Sequence, residues 1–188
     1  LLDDNSRAIE QFQKITWPAQ PDTDLGNAYL AWQAQFNQAR SHFALEQFEQ
    51  ARQIVDSALP QLKYAVDSAA GQAILLRMRI AQQAADWAMI ADLRQKGDAW
   101  LRLIPEHGSE IDFLAALAQF QSTEPSAKSE GAKLLAAIAG QTNQPWSNLA
   151  KLQLLPWQVE PDAARHSSSR ISFDQATPDL KERLQAAV

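Results

Sequence analysis

A hexapeptide of the form Gln-Phe-x-Gln-Ala-Arg occurs twice in this chain, at residues 35–40 and again at 47–52. The bulky apolar residues around it recur at spacings of three and four, which predicts amphipathic helices. Between Phe43 and Phe48 the step is five. At about 100° per residue, such a step turns the apolar stripe off its face, so one straight helix could not keep both halves on a single core.

This break predicts a tight turn near 44–47 that folds two helices into an antiparallel hairpin with facing apolar stripes. The first helix begins near Leu25 and the second opens at Phe48. In this arrangement the Phe and Ala of each hexapeptide point inward, and the Gln and Arg point outward. The alternative is one bent helix of about 38 residues, longer than most globular helices. It stays open, because no Gly or Pro marks the turn.

The opening of the second helix, Gln-Phe-Glu-Gln-Ala at 47–51, resembles the second helix of a tetratricopeptide repeat when it is continued by Val55 and Ala58. In that repeat an aromatic residue opens the helix, and small residues let it nest against its partner. Ala39 takes the place of the small residue of the first helix. The segment Leu-Gly-Asn-Ala-Tyr at 25–29 is similar to the first-helix pattern.

The same unit recurs further along the chain. Trp87 stands 39 residues after Phe48 and opens another predicted helix, which continues to Ile104 before Pro105. A later helix opens near Ser126. A pitch near 39 lies between the ~34 residues of tetratricopeptide repeats and the ~40–47 of HEAT and armadillo repeats.

The resemblance implies an all-α fold: a right-handed α-α superhelix, or solenoid, of about three to four stacked helical hairpins. The composition agrees, since 46% of the residues are apolar and only 6 are Gly. We predict a solenoid domain over 1–156, with Pro156 ending its last helix, and an extended, polar linker over 157–176. A C-terminal helix over 177–188 then docks on the body or leads into further sequence.

Charge and residue types exclude several function classes. The net charge of −5, without clustered Lys and Arg, argues against nucleic-acid binding. The absence of Cys excludes disulfides and thiolate chemistry. His42, His107 and His166 have no second ligand at metal spacing, and we interpret Glu110 and Asp112 as helix-start charges. We expect no catalytic residue, metal or cofactor, and a protein that is not an enzyme.

No apolar run approaches the ~20 residues that a membrane-spanning helix needs, although a membrane anchor could lie outside this chain. Richness in Gln and Ala and the missing Cys favour the periplasmic side of a bacterial cell envelope, with the cytoplasm as the alternative.

The resemblance also implies a function, because solenoids of this kind hold extended peptides or partner helices on a concave face built from the first helices. We therefore expect a protein-protein interaction module, acting as a scaffold or assembly factor. Polar residues expected on the exposed face of the first helices and two Trp residues that follow prolines are the expected partner-binding residues. They are Asn27, Gln33, Arg40, Arg77, Arg79, Trp146 and Trp157.

A second interpretation stays open. The chain could be a helical ligand-binding sensor domain of a membrane-anchored signalling protein, with a cavity between hairpins and a terminal helix that transmits its state. A transmembrane helix after Val188 would favour the sensor, and a natural stop would favour the scaffold.

Overall fold

The structure is a computed structural model that describes residues 2–65, 68–141 and 145–163, with side chains described for 4–65, 68–141 and 145–155. Over those residues it is all-helical and contains no strand, which confirms that the fold is all-α. Its α-helices, in chain order, are α1 (Leu2–Phe12), α2 (Leu25–Ala44), α3 (Phe48–Ala58), α4 (Ser68–Gln83), α5 (Trp87–Lys96), α6 (Asp98–Leu101), α7 (Gly108–Phe120), α8 (Pro125–Ala139) and α9 (Pro145–Ala163). Two 3-10 helices occupy Leu59–Tyr64 and Pro105–His107. No described helix combines the length and apolarity needed to cross a membrane.

The chain divides into two compact units, Leu1–Ala118 and a second that begins at Gln119, where the sequence predicted one domain over 1–156. Helix α9 continues through Pro156 to Ala163, so the prediction that Pro156 ends the helix is wrong. A proline removes one helical hydrogen bond and crowds the preceding turn, a local cost that the bonds on either side of it can offset. The predicted linker beyond 163 and the predicted helix at 177–188 lie outside the described residues.

Helices α2 and α3 form the predicted hairpin, because the chain leaves the helical path only at Leu45–Gln47. This excludes the single bent helix. Phe36, Ala39 and Ala51 are buried, as expected from the hexapeptide. They belong to a hydrophobic cluster shared by α2, α3 and α4. At its centre Trp32 is fully buried, and its indole Nε1 donates to the carbonyl of Ala58 at 3.1 Å, so the ring's one polar atom is satisfied.

The turn between α2 and α3 recurs between α4 and α5. In the first, the backbone N–H of Gln47 donates to the carbonyl of His42 at 2.9 Å. In the second, the N–H of Asp86 donates to the carbonyl of Ala81 at 2.9 Å. This bond from a residue to the carbonyl five positions earlier is the Schellman closure of a helix end. The two hairpin turns therefore share one geometry at the 39-residue pitch expected from the sequence.

The helix predicted from Trp87 to Ile104 is interrupted at Gly97, where α5 ends and the short α6 begins. The interruption brings the backbone at Trp100 against Gly71 of α4, so closely that a Cβ built on Gly71 would lie 2.4 Å from the Trp100 carbonyl oxygen. A glycine is required at this contact because any side chain would overlap that oxygen.

The second unit contains α8 and α9, which pack through buried apolar residues that include Leu135 and Leu154. The hydroxyl of Ser147, in the first turn of α9, donates to the carbonyl of Ala139 at 3.0 Å and links it to the end of α8.

Candidate functional site

A cleft of about 160 Å³ lies in the first unit, where α2, α4 and the 3-10 turn before α7 meet. We call it the Arg40–Arg79 cleft. Its floor is apolar and buried, and its rim carries three basic side chains and one amide. The lining residues are Phe36, Arg40, Gln72, Leu75, Leu76, Arg79 and His107.

Helical spacing places Arg40 at this cleft. It follows Phe36 by one helical turn on α2, so the two side chains share a face. The Arg40 guanidinium lies 5.7 Å from the centre of the Phe36 ring, within the range of a cation–π contact. Arg40 is exposed, and no carboxylate pairs with it in the part of the chain that the structure describes. Its charge is therefore available to a ligand.

Arg79 enters the cleft from α4 and pairs with Glu110 of α7 through two parallel hydrogen bonds. Its Nε donates to Glu110 Oε1 at 2.5 Å, and its Nη2 donates to Oε2 at 2.7 Å. The Glu110 side chain is only 7% exposed, whereas Arg79 is 35% exposed. Glu110 is therefore more than a helix-start charge, since it holds the guanidinium at the edge of the cleft.

His107 completes the basic rim. From sequence alone it could be placed only in a loop between helices. Its Nδ1 lies 3.5 Å from Glu110 Oε2. The spacing of three residues from Glu110 was the available signal, because residues three apart at a helix start share a face. Without knowing that Glu110 faces Arg79, that spacing does not indicate a site.

Arg77 does not belong to the cleft, so the expectation that it points outward is wrong. Its side chain is 4% exposed, and its Nε donates to Asp56 Oδ1 of α3 at 2.6 Å. Asp56 in turn accepts from Arg52 at 3.2 Å. Residues two apart on a helix face different directions, so Arg77 joins α4 to α3 while Arg79 faces the cleft.

The other predicted residues of the first unit lie elsewhere. Asn27 is exposed at the start of α2, where its Nδ2 donates to the helix-capping Asp24 at 2.8 Å. It borders a second, open cleft of about 490 Å³, lined by Ile15, Thr16, Trp17, Pro18, Ala19, Asp24, Asn27 and Leu30. Gln33 is half-buried, and its Nε2 donates to the Tyr29 hydroxyl at 3.0 Å.

The two predicted Trp residues are at α9. Trp146 is half-buried in the first turn of that helix, within the second unit. The side chain of Trp157 lies outside the described residues. Of the seven predicted partner-binding residues, the structure thus brings two, Arg40 and Arg79, to one cleft.

The arrangement suits an anion attached to an apolar group, because two guanidinium groups, of which Glu110 holds that of Arg79 in place, border a floor of Phe and Leu side chains. Among the described residues, no group of three His, Asp or Glu side chains could hold a metal ion. No protein family, curated protein or solved structure matches this chain.

Proposed function

We propose that this protein is an interaction module, without enzymatic activity, that binds a peptide or helix of a protein partner and serves as a scaffold or assembly factor. The observation that carries the proposal is the Arg40–Arg79 cleft. It joins an uncompensated Arg to a buried apolar floor at the junction of two successive first helices of hairpins, α2 and α4. Arg is enriched among the residues that dominate protein interfaces.

The hairpin turns support the architecture that goes with this function. Two hairpins with the same turn geometry at a 39-residue pitch are what a tetratricopeptide-like solenoid would produce. In such a solenoid the first helices line the concave surface, which is where Arg40 and Arg79 would then lie.

The size of the cleft favours a protein partner over a small molecule. Pockets that enclose drug-sized ligands measure roughly 300–1,000 Å³. The Arg40–Arg79 cleft, at about 160 Å³, has room for one side chain. A peptide would place one residue in the cleft and extend over the neighbouring surface.

A peptide-display selection tests the proposal. The full chain is used as bait for a random peptide library, beside Arg40→Glu and a matched control, Arg7→Glu, at an exposed position of α1. Arg77→Glu is not included, because a second carboxylate at this buried position would lie beside Asp56 and disrupt the fold. We expect a peptide consensus that the wild type and Arg7→Glu both retain and that Arg40→Glu loses. A consensus that survives Arg40→Glu would place the binding surface elsewhere, and no consensus at all would contradict an interaction module.

The sensor interpretation has its own observation in its favour. The cleft beside Asn27 measures about 490 Å³, which falls within the range of small-molecule pockets. A thermal-shift screen of metabolites distinguishes the two functions. Stabilisation that is lost in Leu30→Gln, on the wall of this cleft, would support a ligand-binding sensor.

A further inference from the structure

The Arg40–Arg79 cleft already contains a carboxylate. Glu110 occupies two donors of Arg79, at 2.5 and 2.7 Å, in the side-by-side geometry that an incoming carboxylate would adopt. An acidic ligand that approaches Arg79 therefore meets an internal competitor. The Arg79 donors are fully available only when Glu110 finds another cation.

His107 is the cation at hand. Its Nδ1 lies 3.5 Å from Glu110 Oε2, and its side chain is 35% exposed, so it can exchange protons with water. The charged groups around it are Arg40 from α2, Arg79 from α4 and Glu110 from α7, with Glu106 exposed on its own turn. An imidazole changes its charge between about pH 5 and about pH 8. In the protonated form it donates to Glu110 as a cation.

We propose that the cleft binds an ionised carboxylate side chain of the partner by exchange. The partner's carboxylate takes the Arg79 donors and the charge of Arg40, while Glu110 shifts to protonated His107. The inference rests on the proposed function, since it names the chemistry of the partner and the switch that controls its binding.

Burial makes the exchange depend on the proton. The Glu110 side chain is 7% exposed, and a buried carboxylate that loses its only cation is strongly destabilising. Glu110 cannot release Arg79 unless His107 carries a charge. Binding therefore takes up one proton, and neither a covalent bond nor a further reactant is involved.

Protonation of His107 also raises the net positive charge of the cleft. Arg40, Arg79 and Glu110 together leave one positive charge when His107 is neutral and two when it is protonated. A carboxylate ligand is neutralised more completely in the second state, because it then faces two net positive charges instead of one. Affinity for an acidic peptide should rise as the pH falls.

An NMR titration of the full chain tests the exchange directly. The probe is acetyl-Leu-Glu-Leu-amide, and acetyl-Leu-Gln-Leu-amide is the matched neutral control. We expect the Glu probe to shift the guanidinium Nε–H resonances of Arg40 and Arg79, and the Gln probe to leave them in place. The Kd should fall by up to about tenfold per pH unit between about pH 8 and about pH 6, as the uptake of one proton requires.

The variant His107→Gln isolates the contribution of His107 protonation to binding, because glutamine keeps a hydrogen-bond donor but carries no charge at any pH. In this variant the Kd should change by less than about twofold over the same pH range. Calorimetry of the wild type in two buffers of different ionisation enthalpy counts the protons taken up. A count near zero would overturn the exchange, as would a His107→Gln variant with undiminished pH dependence.

The outcome for the proposed function is separate. Absence of any shift with the Glu probe at both pH values would overturn carboxylate recognition. The display selection could still yield peptides without acidic residues that bind the wild type and not Arg40→Glu. That result would support the interaction module without carboxylate recognition. Loss of both results would remove the inference and the proposed function together.

Discussion

Glu46 and Ala85 adopt the same left-handed backbone conformation, with φ of 59° and 53°, at equivalent positions of two helix–helix turns. Each immediately precedes the N-cap residue of the next helix, Gln47 for α3 and Asp86 for α5. Glycine is the usual residue at such a helix end, because a Cβ is crowded in this conformation. Neither position carries glycine, so both turns hold strain that the surrounding hairpins impose.

Ala85→Gly should therefore stabilise the first unit. The substitution relieves the crowding of the Cβ, although it adds entropy to the unfolded chain. We expect the free energy of unfolding to rise by up to about 1 kcal/mol. Urea denaturation followed by circular dichroism measures the change.

Ala91→Gly is the matched control, since Ala91 is exposed in the middle of α5. There the same substitution should destabilise by about 0.5–1 kcal/mol, because glycine lowers helix propensity. Equal losses in both variants would contradict the left-handed conformation at Ala85.

Gly71→Ala should destabilise the contact between α4 and α6. The added Cβ would meet the Trp100 carbonyl oxygen at 2.4 Å and Ile104 Cγ1 at 3.2 Å, and the backbone oxygen cannot rotate away. We expect a loss of about 1–3 kcal/mol in the free energy of unfolding. Gly26→Ala is the control, because nothing lies within 4 Å of its Cβ position. It should be neutral or stabilising, and a similar loss in both variants would argue against a specific contact at Gly71.

Asp56→Asn should show that Arg77 is structural. The Arg77 guanidinium is buried, and the substitution removes the carboxylate to which it donates hydrogen bonds. We expect a loss of about 2–3 kcal/mol in unfolding free energy, and a smaller loss when Arg77→Met is added. Asp92→Asn breaks the exposed pair with Lys96 and should cost less than about 1 kcal/mol. Additive losses from Asp56→Asn and Arg77→Met would contradict the pairing.

Acid should weaken the first unit through Glu49. Hydrogen bonds from Arg52 and then Gln53 lower the pKa of Glu49 from 4.5 to about 2. A lowered carboxyl pKa contributes stability above its unfolded value, and this stability is lost as the pH falls toward about 2. The stability difference between wild type and Glu49→Gln should thus shrink between about pH 5 and about pH 2. Both side chains are exposed, so added salt should reduce the effect, and a constant difference would count against the pairing.

Helical periodicity was sufficient to predict the hairpin of α2 and α3, because a step of five between Phe43 and Phe48 cannot be continued on one helix face. The same reasoning failed at Gly97 and at Pro156. An isolated glycine or proline changes local helix stability by only a few kcal/mol, an amount that neighbouring contacts can reverse.

The residues of the candidate site also could be predicted only in part from the sequence. Arg40 and Arg79 could be proposed from their positions on first helices, whereas Arg77, two residues from Arg79, was wrongly grouped with them. The pairing of Glu110 with Arg79, and with it the place of His107, joins residues 31 apart in sequence. Neither spacing nor composition records such a contact.

The sequence by itself determined that the described chain is helical, where the first hairpin turns and which residues of the repeated hexapeptide face inward. These properties depend on neighbours within about four positions, which the order of residues specifies directly. Only the tertiary structure decided that Arg77 is buried and that Arg40, Arg79 and His107 share a cleft. Which face of a helix is covered depends on the helices that pack against it, and those come from distant parts of the chain.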